Sequence, residues 1–248
     1  MLYKNNMITS SPTRHLLFHD CAQKVRSTTQ GQPFVLQIGA MDGMQFDLLH
    51  PHLSAGGWRG ILIEPIADMF EKLQQTYVLH PNLTLLNCAI ADYNGTLTLQ
   101  RIDPIAVEQG MIPAEALGIS SAYTDRGIFA HPGFAKRFAD VMAHYMHRVT
   151  TPCFTLNHIL TQHQVAEIDV VVIDTEGADW MIFQQLDLLQ YQPKLICIEH
   201  TSLTPEEINA CLTHVKSHGY QVALCAEDAQ NYLFVKGVVG PAGFEPAT

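Results

Sequence analysis

Seven apolar segments of strand length recur along the chain, and the lengths between them restrict how they can pair. They are FVLQI (34–38), GILIE (60–64), LTLLNCA (83–89), DVVVID (169–174), KLICIE (194–199), YQVALC (220–225) and NYLFVK (231–236). Amphipathic stretches lie between most of them, among these ADMFEKLQQTYV (67–78), ADWMIFQQLDLL (178–189) and PEEINACLTHVKSHG (205–219). Apolar strands alternating with helices imply a parallel sheet covered on both faces. The last of these helices has Pro205 at its start and Gly219 at its end, which are good boundary signals. Only AEDAQ joins the final two strands. Parallel neighbours need a crossover of about a dozen residues, so this pair must run antiparallel.

A chain of 248 residues, 47% of them hydrophobic, suits one large α/β domain or a domain with a small insertion. Its net charge of −10, with 14 Lys and Arg and no basic run, argues against nucleic acid and anionic membrane surfaces. Ordinary solubility accounts for the acidity. The cysteines, Cys21, Cys88, Cys153, Cys197, Cys211 and Cys225, are widely spaced and form no C-x-x-C pair. They read as buried thiols in a reducing compartment. No apolar run reaches the roughly 18 residues of a membrane span, and the N-terminus lacks a signal-type apolar core. A cytoplasmic location is expected.

Residues 1–14 are expected to be poorly ordered and RHLLFHDCAQKV (14–25) to form a short helix, together an N-terminal helical extension over 1–30. The main domain then occupies 31–238. A long excursion, roughly 95–165, separates its third and fourth strands. It opens at the Asn94-Gly95 turn with a strand, NGTLTLQ, and runs through a Pro- and Gly-rich stretch (103–133). A helix-like FAKRFADVMAHYMH (134–147) and a strand around RVTTPCF (148–154) follow. Segments this long in compact domains are usually lids or binding elements, so about 100–150 reads as an inserted substrate segment. The tail, 239–248, is expected to be disordered.

The first strand runs into VLQIGAMDG (35–43), where Gly39 and Gly43 permit a tight turn and a close backbone approach. Rossmann-type sheets place nucleotide-like ligands at this turn. A dinucleotide site needs glycines spaced G-x-G-x-x-G so that backbone can reach the pyrophosphate. Counting from Gly39, Met41 and Met44 occupy the second and third glycine positions, which supplies a pyrophosphate poorly. A phosphate-free ligand such as S-adenosylmethionine needs only the loop N–H groups and one close approach. The second strand ends at Glu64, where a carboxylate can accept both hydrogen bonds of a ribose diol. After the third strand, Cys88, Ala89 and Ile90 are placed to flank an adenine ring.

IDVVVIDTEGADWMIF (168–183) leaves Asp174 and Glu176 at the end of a buried strand, with Gly177 turning into a helix. Carboxylates leaving an apolar strand are costly unless paired, solvated or used. The next strand ends LICIEHTSL (195–203), which brings Glu199 and His200 to the same edge. Ligands of open α/β sheets bind outside the carboxyl ends of the strands, and four ionisable groups converge there.

These segments resemble the FkbM-type S-adenosylmethionine-dependent methyltransferases. IDVVVIDTEGADWMIF is similar to the family's hallmark, Lys-x-Asp-x-Glu-Gly followed by Ala and an acidic residue. VLQIGAMDG, ILIEP and AIADYNGTLTL resemble its cofactor motifs, and ISSAY (119–123) resembles a Ser-containing segment. CFTLNHIL and ICIEH match the flanks of the hallmark, all in order over about 34–200. The chain departs from the pattern at Gln37, where an acidic residue is usual, at Val172, which replaces the Lys, and at Asn157-His158, which replaces Asp-Asp. The resemblance implies an α/β, Rossmann-like class I methyltransferase fold: a seven-stranded, mostly parallel sheet with a C-terminal antiparallel hairpin. It implies S-adenosylmethionine held by Gly39, Ala40, Met41, Asp42, Gly43, Glu64, Pro65, Ala89, Ile90, Ser121 and Asp174. It also implies O-methylation of a sugar, polyketide or other specialised metabolite.

Such a transfer is an in-line displacement in which alignment supplies much of the catalysis, and an alcohol acceptor needs a base. Asp174, Glu176 and His200 are the candidates. Asp174, Glu176 and Glu199 also offer oxygen ligands to Mg²⁺, although nothing in the spacing demands a metal. His144 and His147 read as sharing a helix face, with Tyr123 and Tyr145 available to a polar acceptor. Two other readings stay open: an NAD(P)-dependent Rossmann oxidoreductase, opposed by the missing glycines, and a catalytically inactive scaffold of the same fold. The expected partner is a small-molecule hydroxyl acceptor, without nucleic acid or a membrane span, and a homo-oligomer is compatible with the sequence.

Overall fold

A computed structural model describes residues 14–113, 120–123, 129 and 132–237. Residues 1–13 and the tail at 239–248, for which disorder is expected, lie outside the described residues. In chain order the elements begin with β1 (His15–Leu16), α1 (Phe18–Thr28), β2 (Phe34–Ile38), α2 (His50–Ser54), β3 (Arg59–Ile63) and α3 (Ala67–Thr76). Next come β4 (Leu83–Leu86), β5 (Ala89–Ile90), β6 (Gly95–Ile102), α4 (Pro104–Glu108) and β7 (Ser120–Ser121). Then follow α5 (Pro132–Arg137), α6 (Ala139–Tyr145), β8 (Met146–Phe154), α7 (Leu156–Gln162), β9 (Val170–Ile173) and α8 (Asp179–Phe183). The chain closes with β10 (Leu195–Glu199), α9 (Pro205–Ser217), β11 (Gln221–Cys225) and β12 (Asn231–Val235).

The main sheet has eight strands in the order β1-β11-β12-β10-β9-β2-β3-β4. β12 runs antiparallel to both β10 and β11, and the remaining neighbours are parallel. Eight strands replace the expected seven because His15–Leu16 adds to the open edge of β11. Residues 15–28 are therefore packed onto the main sheet. Phe18, Cys21, Ala22 and Val25 of α1 are fully buried against the sheet. Glu227, from the turn before β12, accepts the N–H groups of Phe18 (2.8 Å) and His19 (3.0 Å) at the start of α1.

Strand alternation divides the core in two. Leu36, Ile38, Val171, Ile173, Ile196 and Ile198 face α7, α8 and α9. Val35, Leu62, Val170, Val172, Leu195 and Cys197 face α1, α2 and α3. Both faces are covered, which is why these strands read as continuous apolar runs. Among the described residues no helix is long and apolar enough to cross a membrane.

The long excursion folds as a second sheet, β5-β8-β6-β7, built on a β6–β8 ladder from Gly95↔Cys153 to Ile102↔Met146. Arg101, 4% exposed, ties it to α3 through an ion pair with Asp68. LTLLNCA is split between the two sheets. The Asn87 side chain donates to the Glu64 carbonyl (2.9 Å), β4 stops at Leu86, and Ala89–Ile90 pairs with β8 instead. FAKRFADVMAHYMH breaks at Phe138 and its second helix ends at Tyr145, so His144 lies on α6 while His147 lies on β8, and the two share no helix face. ADWMIFQQLDLL is helical only to Phe183; further on, Asp187 accepts the N–H groups of Leu189 and Gln190 and starts a separate turn.

α9 follows its boundary signals, with a reciprocal capping box between Thr204 and Glu207. Thr204→Ala is expected to lower unfolding free energy by about 1 kcal/mol, read as a shifted urea midpoint with an unchanged slope. An unmoved midpoint contradicts the cap.

Candidate active site

β2, β3, β9 and β10 end level with one another. Ile38 pairs with Ile63 and Ile173, and Ile173 with Ile198. The residues that follow, Gly39, Glu64, Asp174 and Glu199, emerge at one edge. The first three line a cavity of about 670 Å³, together with Ala40, Met41, Pro65, Cys88, Ala89, Ile90 and Glu176.

Gly39 has φ +86°, and a Cβ there would stand 1.8 Å from the carbonyl oxygen of Asp174. Only glycine lets the two strand ends meet this closely. Met41 follows in the left-handed region at φ +49° and donates its N–H to Glu64 Oε2 (2.8 Å). Ile66 N–H donates to Glu64 Oε1 (2.8 Å). Glu64 thus pins the turn. Each of its oxygens retains acceptor capacity, since a carboxylate offers about four lone-pair sites. Burial pushes its pKa up to about 7.

Asp42 and Gly43 build the turn and do not line the cavity. Asp42 Oδ1 accepts the N–H groups of Met44 and Gln45, both at 2.9 Å, and Gly43 abuts Leu73 and Tyr77.

The second turn is built the same way. Glu176 sits at φ +55°, a conformation that costs on the order of 1–3 kcal/mol and needs support. Asp179, fully buried, accepts the N–H groups of Thr175 and Gly177, both at 3.0 Å. Ser121 Oγ donates to the Glu176 carbonyl (2.7 Å) and accepts from Tyr123 N–H (3.0 Å). Ser121 is 1% exposed and turned away from the cavity, while its neighbours Ser120 and Ala122 line it. Its hydroxyl bonds the Glu176 backbone. Asp174 opens onto the cavity but is ringed by protein. The residue is exposed at the cavity, yet the protein crowded around it, then the charges of Glu199, Glu176, Asp179 and Asp228, push its pKa above the usual carboxylate range. Burial, then Glu199, raises Asp179 to about 7.

His200 is not brought to the cavity. Its ring stacks on Tyr232 at 4.1 Å, its Nε2 is buried without a partner, and burial pushes its pKa down. Tyr123, Tyr145, His144 and His147 do not line the cavity either. Among the described residues no group of three or more His, Cys, Asp or Glu is arranged to hold a metal ion, so Asp174, Glu176 and Glu199 are not gathered into one set of ligands. The structure adds lining residues that the sequence did not single out as a set: Asp47, Glu227 and Asp228. With Glu64, Asp174 and Glu176 they make six carboxyl groups around a cavity that has no Lys, Arg or His among its described lining residues.

The raised carboxyls bear on stability. Glu64 and Asp179 have folded pKa values of about 7 against about 4 when unfolded, so the folded state binds more protons between those values. Stability from this source is fully present below about pH 4 and is lost as pH rises through about 7. Buried and half-buried histidines with lowered pKa, His52 among the first and His200 and His214 among the second, oppose this only below about pH 6.5. The thermal midpoint is therefore expected to fall between pH 6.5 and pH 8; a rise contradicts the assignment.

The methyltransferase FkbM domain model matches residues 37–222. The crystal structure of methyltransferase FkbM from Methylobacillus flagellatus KT is 12% identical with a TM-score of 0.50, covering 85% of this chain and 45% of that one. This chain therefore spans less than half of that protein's length. The N-terminal domain of human METTL16 is 10% identical with a TM-score of 0.42, covering 87% and 66%. No curated protein matches significantly. At such identities a solved structure bears on the fold alone. The domain match runs from the end of β2 into β11 and takes in both site turns. On that ground the chain belongs to the FkbM methyltransferase domain family.

Proposed function

We propose that this family member is an S-adenosylmethionine-dependent O-methyltransferase acting on a hydroxyl of a small molecule. The observation that carries the reading is the junction of Gly39, Glu64 and Asp174 at the mouth of one cavity. The residues present fit the cofactor. Glu64 has acceptor capacity left for a ribose diol, and Cys88, Ala89 and Ile90 give an apolar slot beside it for adenine. A lining with six carboxyls and no described cation suits a sulfonium and repels the pyrophosphate of a dinucleotide.

When bound, S-adenosylmethionine supplies an electrophilic methyl group on sulfur. Asp174 and Glu176 orient the acceptor hydroxyl and take its proton. A carboxyl with raised pKa is the better base near neutral pH. Leu97 and Leu99 of β6, with Ser120 and Ala122 at β7, wall the cavity and limit water. The acidic lining favours a neutral polyol, sugar or polyketide hydroxyl over phosphorylated acceptors or nucleic acid. Six buried, unbonded cysteines fit a reducing cytoplasm.

The test is transfer of label from methyl-tritiated S-adenosylmethionine to a panel of neutral sugars and polyketide alcohols. Label in an alkali-stable ether is expected. Label in an ester or an N-methyl group, or none with cofactor bound, contradicts the reading.

A further inference from the structure

The register of the sheet carries on past the last paired residues of β9 and β10. Ile173 pairs with Ile198, so Asp174 and Glu199 emerge side by side, one strand spacing of about 4.8 Å apart. Val172 and Cys197, two residues earlier on each strand, share a face, and alternation turns both carboxyls toward that same face. Like charges directly opposite each other on neighbouring strands are destabilising. Asp174 lines the cavity, whereas Glu199 stands behind it and is 6% exposed. Glu199 Oε1 accepts the hydroxyls of Thr201 and Ser202, the latter at 3.2 Å. Its Oε2 is buried without a partner. A bare carboxylate oxygen there is costly, but a protonated one is a donor, and the Asp174 carboxylate beside it is an acceptor.

The charged groups that act on Asp174 from the neighbouring elements are acids. Besides Glu199 they are Glu176 and Asp179, from the turn into α8, and Asp228, from the turn between β11 and β12. Asp179 is held by the N–H groups of Thr175 and Gly177, and Asp228 by those of Gln230 and Asn231 with the Asn231 side chain. Three further acids of the lining are engaged elsewhere. Glu64 binds Met41 and Ile66, Glu227 binds Phe18 and His19, and Asp47, with His50 beside it, binds Leu49 and Gln37. Cys197 and His200, on either side of Glu199, are uncharged near neutral pH, because burial raises the thiol and lowers the imidazole. Among the described residues no Lys, Arg or His lines the cavity, so the lining offers no cation to keep both carboxyls ionised together. Burial of Glu199, and the protein and acids around Asp174, push both above the ordinary carboxylate range.

We propose that Asp174 and Glu199 share one proton when the cavity is empty or holds a neutral ligand, and give it up to water when a sulfonium enters. The proposal rests on the cofactor reading above, in which the methyl donor occupies the cavity that Asp174 lines. A positive charge beside two carboxyls favours the doubly ionised pair, and a neutral thioether does not. Asp174 is thus ready as a base with the donor bound and idle with the product. In the transfer the acceptor oxygen takes the methyl group, the electrons of the broken carbon–sulfur bond stay on sulfur, and the hydroxyl proton passes to Asp174. The pair then holds one proton again beside a thioether, and releases it when the next donor binds. Thr201 is exposed, and its hydroxyl links Glu199 to solvent. Glu199 touches no substrate; it is a positioning residue that acts through Asp174.

S-adenosylmethionine and S-adenosylhomocysteine differ only in the methyl group and its charge, so comparing them isolates the sulfonium. Calorimetric Kd values for both are measured from about pH 5 to about pH 7, where their amines stay protonated. Release of one proton makes donor affinity rise relative to product affinity by up to about tenfold per pH unit. That slope is expected in the wild type. It is expected to vanish in Glu199→Gln and in Asp174→Asn, each checked for folding by its thermal midpoint. A flat ratio in the wild type overturns the proposal. So does a slope that survives in either variant, since the proton then belongs to another acid such as Asp179. Carboxyl ¹³C NMR of the unliganded protein is the second test, with Asp174 assigned by its loss in Asp174→Asn. Asp174 is expected to titrate at least about one pH unit lower in Glu199→Gln than in the wild type, and an unmoved midpoint overturns the shared proton. Wild type that binds neither adenosyl compound contradicts the cofactor reading, and the NMR titration then decides on the pair alone.

Discussion

Asp174→Asn is expected to lower kcat on the order of 100- to 10,000-fold while leaving the Kd for S-adenosylhomocysteine within about threefold. The backbone at this position is fixed independently of the side chain, because Asp174 N–H donates to the Ile38 carbonyl (3.0 Å) where β2 and β9 end. Asparagine keeps the shape and an acceptor oxygen but cannot take a proton. The pH profile adds a second readout. The base must be ionised to act, and the protein crowded around it, with four neighbouring acids, raises its pKa. Wild-type kcat/KM is thus expected to climb with pH to a plateau above the ordinary carboxylate range, and the variant to lose that limb. A variant with more than about a tenth of wild-type kcat would move the base to Glu176 or to solvent.

Gly39→Ala is expected to cost about 2–5 kcal/mol of stability and to abolish cofactor binding together with activity. Two effects add. The left-handed backbone at φ +86° disfavours any side chain, and the new Cβ would fall 1.8 Å from the Asp174 carbonyl oxygen. That oxygen belongs to a strand end and not to the tip of a flexible side chain. Relief therefore needs β2 and β9 to part, which displaces Asp174 itself and the loop whose Gly39 and Ala40 N–H groups reach the Ile63 carbonyl (both 3.0 Å). Gly56→Ala offers the comparison: φ there is +76°, but a Cβ would meet nothing within 4 Å, so only the conformational part of the penalty remains. Equal losses in the two variants, measured by urea denaturation, would contradict the close approach.

How far the chain can be read without coordinates depends on what holds each part. The central strands are buried on both faces, so their apolar runs mark them directly. β1 has two residues and no periodicity; it exists because β11 offers an open edge. Where LTLLNCA divides is decided by a contact distant in sequence, from Asn87 to Glu64. Gly39, Glu64, Asp174 and Glu176 could be picked out because residues just past parallel strands collect at one edge. His200 obeys the same rule by position, but its backbone N–H donates to the Gln230 carbonyl (2.9 Å) and its ring stacks on Tyr232, away from the cavity. Ser121 was one residue from the lining, and one residue in a strand changes the face. Asp47 belongs to an irregular loop, where neither period nor strand end signals direction. Asp179 looks like an ordinary first-turn acid, and only its bonds to Thr175 and Gly177 reveal that it shapes the Glu176 turn.

The central claim is that the turn after β2 and the carboxylate after β3 together hold an adenosyl cofactor. Calorimetric titration of the protein and of Glu64→Ala with S-adenosylmethionine, S-adenosylhomocysteine and NADH tests it most directly. The expected result is micromolar binding of both adenosyl ligands by the wild type, loss of that binding in a variant that still unfolds cooperatively, and no heat from NADH. Binding of NADH, or a folded wild type silent to both adenosyl ligands, would contradict the account.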